Sequence, residues 1–209
     1  MPKAPPMSAA RSGLGHLVHP PMRADARRNY EALLAAADEL FTAYGPDVSL
    51  DEIARRAGVG NATLYRHFPD RRDLLVAVCV GEVEALCLLG EELNADPDTG
   101  RALTRWLRAY IEHVSAKHGL AAAFATGRRD DSELVAASQA AVDAIGASLL
   151  QRAQDGGAVR IDVTLPDVIT LVNAIAMATE TTGDHEADRM LAIVLAGIAQ
   201  PGRDRAANP

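Results

Sequence analysis

Cysteine is scarce in this 209-residue chain: Cys79 and Cys87 are its only two. They stand eight positions apart in one helical pattern, which separates them by about 12 Å at about 1.5 Å per residue. They cannot bond to each other, so no disulfide framework is expected. Long apolar runs are missing too. No stretch approaches the roughly 18 continuous apolar residues of a membrane span, and the first residues hold no apolar run suited to a signal peptide. The chain is expected to be cytoplasmic, with no membrane partner. Catalytic motifs are also lacking: there is no G-x-S-x-G, no H-E-x-x-H and no C-x-x-C. Gly58-Val59-Gly60 runs on to Thr63 where a dinucleotide loop needs glycine. His113 and His118 diverge by about 140° on a helix, too far apart to share an ion. No catalytic residue, metal or cofactor is expected.

What the chain does have is an uneven charge distribution. The net charge is -7, and an acidic body repels polyanionic DNA. The deficit, however, lies beyond residue 72, whereas residues 23–72 carry eight basic and eight acidic side chains and balance. Within residues 53–72, Arg55, Arg56, Arg66, Arg71 and Arg72 face a single acid, Asp70. That short segment is the candidate DNA face.

Residues 1–22 hold Pro2, Pro5, Pro6, Pro20 and Pro21 without apolar periodicity, and they are expected to be a disordered tail, as are residues 201–209. From residue 25 the pattern is helical. Tyr30, Leu33, Leu34, Ala37, Leu40, Phe41 and Tyr44 form an inward stripe at i, i+3, i+4, i+7 spacing, ended by Gly45-Pro46. Ser49-Leu50-Asp51-Glu52 reads as a capping box opening a two-turn helix with Ile53, Ala54 and Ala57 inward. Gly58-Val59-Gly60 breaks the chain, and Asn61 to Phe68 forms a third short helix stopped by Pro69. Two short helices around a glycine turn make a helix-turn-helix. Asp70 caps a longer fourth helix that runs toward Asp96-Pro97. Further helices are expected at 99–118, 132–154, 166–182 and 186–199, with a short one at 119–126. The strand-like run Ala158 to Val163 is solitary and reads as loop.

Ile53-Ala54, Gly58-Val59, Thr63-Leu64-Tyr65-Arg66-His67-Phe68, Arg71 and Leu74 together resemble the DNA-binding signature of the TetR family of transcriptional regulators. The resemblance implies an all-α fold: an N-terminal three-helix helix-turn-helix domain at 23–72, and a C-terminal helical domain at 73–200 for effector binding and dimerisation. It further implies a DNA interface built from Ser49, Gly60, Asn61, Ala62, Thr63, Tyr65, Arg66, His67 and Arg71. In it Thr63, Tyr65, His67 and Arg71 reach phosphates or the groove, Ser49 donates to a phosphate, and Asn61, Ala62 and Arg66 face bases. Val59, Leu64 and Phe68 are expected in the core. Asn61 can pair bidentately with adenine, or serve as an ordinary helix N-cap, and His67 can contact phosphate or pack as an aromatic. Family members that read a base from the second helix use a basic side chain near its start. Here Asp51 and Glu52 stand there, so no base reading is expected from that helix.

In the C-terminal part, Trp106, Tyr110 and His113 share a helix face with Phe124 following, and Asn173, Met177 and Glu180 share another. All seven are candidate effector ligands, with core packing or a solvated stripe as the plainer alternatives. Val168, Leu171, Val172 and Ile175, with Leu191, Val194, Leu195 and Ile198, form a helix pair too apolar for a surface. They are the expected homodimer seam. His118-Gly119-Leu120-Ala121-Ala122-Ala123 and Leu195-Ala196-Gly197-Ile198 resemble the SbtR-like subgroup. The implied function is a dimeric repressor, released from a double-stranded operator by a small-molecule effector. The competing possibility is a helical enzyme or small-molecule-binding protein that keeps the helix-turn-helix only as scaffold.

Overall fold

A computed structural model describes residues 23–124, 129–179 and 184–200. The first helix, α1 (Ala24–Tyr44), buries Tyr30, Leu33, Ala36, Ala37, Leu40 and Phe41. Tyr44 leaves the expected stripe and is 75% exposed. It sits past the last turn that the core covers, beside an open cleft of about 520 Å³ lined also by Ser49 and Arg56. Gly45 ends α1 at φ 83°, a left-handed conformation that glycine adopts without steric cost.

Helix α2 (Leu50–Arg56) is capped by Ser49, whose hydroxyl oxygen accepts from the Asp51 amide at 3.2 Å. The capping box is only half made. Glu52 turns instead to Arg55, accepting at 2.9 Å from its Nε, because the guanidinium lies one turn away on the same face. After α2, Gly58 at φ 70° lets the Val59 amide bond back to the Ala54 carbonyl at 3.0 Å. That return bond satisfies the helix end and aims the chain into α3 (Asn61–His67). Asp70 accepts from the Asp73 amide at 2.9 Å and opens α4 (Arg71–Leu93). Leu64 and Phe68 are buried, with Val59 partly buried against the same core.

Four longer helices follow: α5 (Thr99–Phe124), α6 (Arg129–Asp155), α7 (Leu165–Thr179) and α8 (Asp184–Ile198). The expected short helix at 119–126 is part of α5 as far as Phe124, the residues after it lying outside the described ones, since Gly119 costs an α-helix only about 1 kcal/mol and does not break it. The run at Val159 does find a partner. It forms a single antiparallel bridge with Ala199, flanked by Arg160 N–H to Ile198 at 3.0 Å. The described chain is thus helical without a strand, an all-α fold.

The chain divides into two compact units, one of residues up to Glu84 with Ala116–Ala141, the other of Ala85–Ser115 with the residues from Val142 on. In the first, α1, α2, α3 and the start of α4 enclose a core around Leu33, Ile53, Leu64 and Leu74, each at most 1% exposed. In the second, Trp106 is 0% exposed and lies between two helical glycines. A Cβ on Gly90 would stand 3.1 Å from the indole nitrogen, and one on Gly146 would stand 2.8 Å from the ring. The indole N–H donates to the Leu86 carbonyl at 3.3 Å. Arg152 donates to the carbonyls of Leu93 at 3.2 Å and Asp96 at 3.0 Å, so the last carbonyl of α4 and one in the turn after it each gain a donor.

Glu133–Asp155 is long and apolar enough, by length and composition, to cross a membrane. Seven of its residues are alanine, and Asp143 and Arg152 interrupt it.

Candidate nucleic-acid interface

Helix α3 has two unlike faces. Leu64 is 1% exposed and anchors it to the core, while Asn61, Ala62, Tyr65 and Arg66 are exposed on the other side, with Gly60 before them. Tyr65 is 49% exposed, so it is no core residue. Thr63 and His67 are half-buried, and Ser49 is exposed at the start of α2.

His67 packs edge-on to Tyr30, with ring centroids 5.8 Å apart, and Tyr30 lies 5.1 Å from Phe68. Burial, and then the neighbouring Arg66 charge, hold the His67 pKa below its ordinary value. The ring is therefore harder to protonate than an ordinary histidine, which favours offering a hydrogen bond over a positive charge. Burial, and then Glu84, push the Tyr30 phenol up to about 12.

The arginines counted from the sequence are not all available to DNA. Arg55 pairs with Glu52 at 2.5 Å, Arg56 pairs with Glu39 at 2.6 Å, and both pairs are exposed. Side-chain hydrogen bonding to Arg55 holds Glu52 below the usual carboxylate range. Arg71, expected on a phosphate, reaches inward. Its Nη1 donates to the carbonyls of Pro46 at 2.7 Å and Val48 at 2.5 Å, clamping the α1–α2 loop from the first turn of α4. No local pattern signals this bond, because the partners lie 25 and 23 residues away.

Asn61 is not the helix N-cap. Gly60 occupies that position, and the Asn61 amide nitrogen donates across the turn to the Asp51 carboxylate at 2.7 Å.

Of the expected effector residues, Trp106, Tyr110 and Asn173 come together. Tyr110 donates to Asn173 at 3.2 Å inside the second unit, and its ring lies 5.7 Å from that of Trp106. Trp106 is fully buried in that unit's core. His113 is half-buried, and Met177 points outward, 63% exposed. Phe124 ends α5 with its side chain outside the described residues, and Glu180 lies outside them altogether.

Most of the expected dimer seam is buried within one chain. Val168, Val172, Ile175, Leu191 and Ile198 are each at most 8% exposed within one chain. They lie inside the packing of α7 and α8 and leave little area for a partner. Val194 and Leu195 are half-buried. Of the eight, only Leu171 is well exposed, at 43%. It shares the outer face of α7 with Ala174, Met177 and Ala178, and on α8 the outer face carries Ala192, Ile193, Ala196 and Gly197. Sequence reasoning missed Ile193, which is 62% exposed, because α8 is apolar on several sides and a helical period cannot tell which stripe faces inward.

A short helix held by one apolar edge, offered outward by a glycine turn and carrying amide, phenol and guanidinium groups, is built to enter a DNA groove. The fold defines a helix-turn-helix DNA-binding protein. Comparison with known proteins gives the family. Residues 33–78 match the model of the tetR family of bacterial regulatory proteins, and residues 98–200 match the C-terminal domain of SbtR-like transcriptional regulators. An HTH-type transcriptional regulator of Mycobacterium bovis is 31% identical over 161 residues, covering 73% of this chain and 80% of its own length. A crystal structure of a TetR transcriptional regulator from Streptomyces coelicolor superposes with a TM-score of 0.69 at 31% identity, over 82% of this chain and 99% of that one. A second, from Mycobacterium vanbaalenii, gives 0.69 at 33% identity over 86% and 99%. The chain belongs to the TetR family and is a DNA-binding transcriptional regulator, not an enzyme.

Proposed function

We propose that the protein is a cytoplasmic homodimeric repressor that binds a pseudo-palindromic operator and is released when a small-molecule effector occupies its C-terminal domain. Residues 23–72 form the DNA-binding domain and residues 73–200 the effector-binding and dimerisation domain. The observation that carries this is the outward face of α3. Asn61, Ala62, Tyr65 and Arg66 are exposed beside Ser49, on a helix fixed by Leu64. Asn61, Ala62 and Arg66 face base edges, while Ser49, Gly60, Thr63, Tyr65 and His67 hold the phosphates that set the register. The dimer forms through the outer faces of α7 and α8, where Leu171, Met177 and Ile193 are exposed together with small residues that permit close approach. Two α3 helices then meet successive major grooves.

Selection from random DNA tests the proposal. The expected product is an inverted repeat with half-sites about one helical turn, or a multiple of it, apart, and Tyr65→Ala should abolish its enrichment. Enrichment of a single half-site, or of none, would overturn the dimeric operator reading. Effector release is tested by screening small molecules against the selected operator. A hit must favour the non-binding form by about 1.4 kcal/mol or more to give tenfold release.

A further inference from the structure

We propose that Asp51 and Asn61 act as one base-reading unit, in which the carboxylate fixes the amide so that the pair selects a base bearing an exocyclic amine and rejects a keto base. The inference rests on α3 entering the major groove. Asn61 is the first residue of α3, the end of a recognition helix that meets base edges. Its amide nitrogen donates to Asp51 Oδ1 at 2.7 Å, and both side chains are exposed. An asparagine amide that turns freely can present either its oxygen or its NH2 group to a base. The carboxylate accepts hydrogen bonds only, so it holds the NH2 end and leaves the amide oxygen to face away from it. The second carboxylate oxygen adds another acceptor beside it. Glu52 and Arg55 are paired with each other, so Asp51 is not drawn off by that neighbouring cation.

The surface offered to the groove therefore sets two acceptors, the amide oxygen and the free carboxylate oxygen, beside the one amide N–H that Asp51 leaves over. Adenine N6 and cytosine N4 are donors in the major groove, whereas guanine O6 and thymine O4 are acceptors and would be repelled. Sequence alone discouraged base reading from α2 because its start is acidic. The acidic residue instead reads through its neighbour.

Selection from random DNA by the full-length protein and by Asp51→Ala and Asn61→Ala tests this. Wild type should favour A or C over G and T at one position per half-site by about tenfold or more. Each variant should lose that preference at the same position, to within about threefold, and the double variant should lose no more than either single one, as expected of a coupled pair. An acid that only favours the N-terminus of α2 would move thermal stability and overall affinity without touching the preference. Asp51→Ala that folds, binds and keeps the amine preference would overturn the proposal, as would a wild-type preference for G or T at the position that Asn61→Ala relaxes. If wild type enriches no sequence at all, the operator-binding reading has failed rather than this one.

Discussion

Replacing Arg71 with alanine separates two roles that a sequence motif cannot tell apart. The guanidinium donates to two loop carbonyls, those of Pro46 and Val48. Hydrogen bonds to a charged group contribute about 1.5–3 kcal/mol each, and a half-exposed site falls at or below the low end of that range. The pair should therefore contribute about 2–3 kcal/mol. In a protein of this length, 1 kcal/mol moves the melting temperature by about 2–4 °C. Arg71→Ala should then lower Tm by about 4–12 °C in a thermal melt of the free protein. Lysine offers a compact ammonium in place of the planar fork, so Arg71→Lys should recover part of the loss. DNA gives the second measurement. A phosphate ligand contributes about 0.9 to the log–log salt slope, so two half-sites would lose about 1.8 on its removal. A clamp changes affinity through the loop that carries Ser49 and leaves the slope unaltered. An unchanged Tm with a slope reduced by about 2 would refute the clamp.

The outer face of α8 gives the next test: Ile193→Arg should yield folded monomers in sedimentation, because an unpartnered interfacial charge costs several kcal/mol, whereas the inward Leu191→Arg should unfold the chain. A preserved dimer mass for Ile193→Arg would move the interface elsewhere. Gly90→Ala places a Cβ 2.1 Å from Ile145 Cγ2 and should destabilise by about 1–3 kcal/mol, while Gly81→Ala, with nothing within 4 Å, should stabilise by up to about 1 kcal/mol. Opposite signs in denaturant melts are the check. His67 has a lowered pKa in the folded state, so the unfolded chain binds the proton more readily. Its share of stability is therefore complete above the ordinary histidine value of about 6.5 and is lost as pH falls through and below it. His67→Phe should flatten that part of the stability profile, and an unchanged profile would count against the assignment.

The helix-turn-helix was legible because its signals are local. A period of 3.6 residues names Leu33, Ile53 and Leu64 as core, and Gly58 marks a turn that needs a positive φ. Long-range partnerships were not legible. Glu39 and Arg56 are 17 positions apart, and nothing in their spacing says that they meet. The capping box expected at Ser49 was only half made, yet Thr164 and Asp167 form a reciprocal one at the start of α7, with the Thr164 amide donating to Asp167 at 3.0 Å and the Asp167 amide to the Thr164 hydroxyl at 3.4 Å. Both patterns fit the rule, and the difference is Arg55, which competes for Glu52. The face of α7 was ambiguous for a different reason. Val168, Leu171, Val172 and Ile175 are all apolar, and only packing decides that Leu171 turns outward.

Trp106 is the chain's one tryptophan, and its indole is sealed between Gly90 and Gly146 with its N–H on a carbonyl. The protein thus carries a built-in optical label in its second unit and none in the first. Emission excited at the indole band starts blue-shifted, and it moves red only when α4, α5 and α6 part around the ring. Paired with far-ultraviolet dichroism, which sees every helix, that single fluorophore can tell whether the C-terminal core melts before, with or after the half that meets DNA.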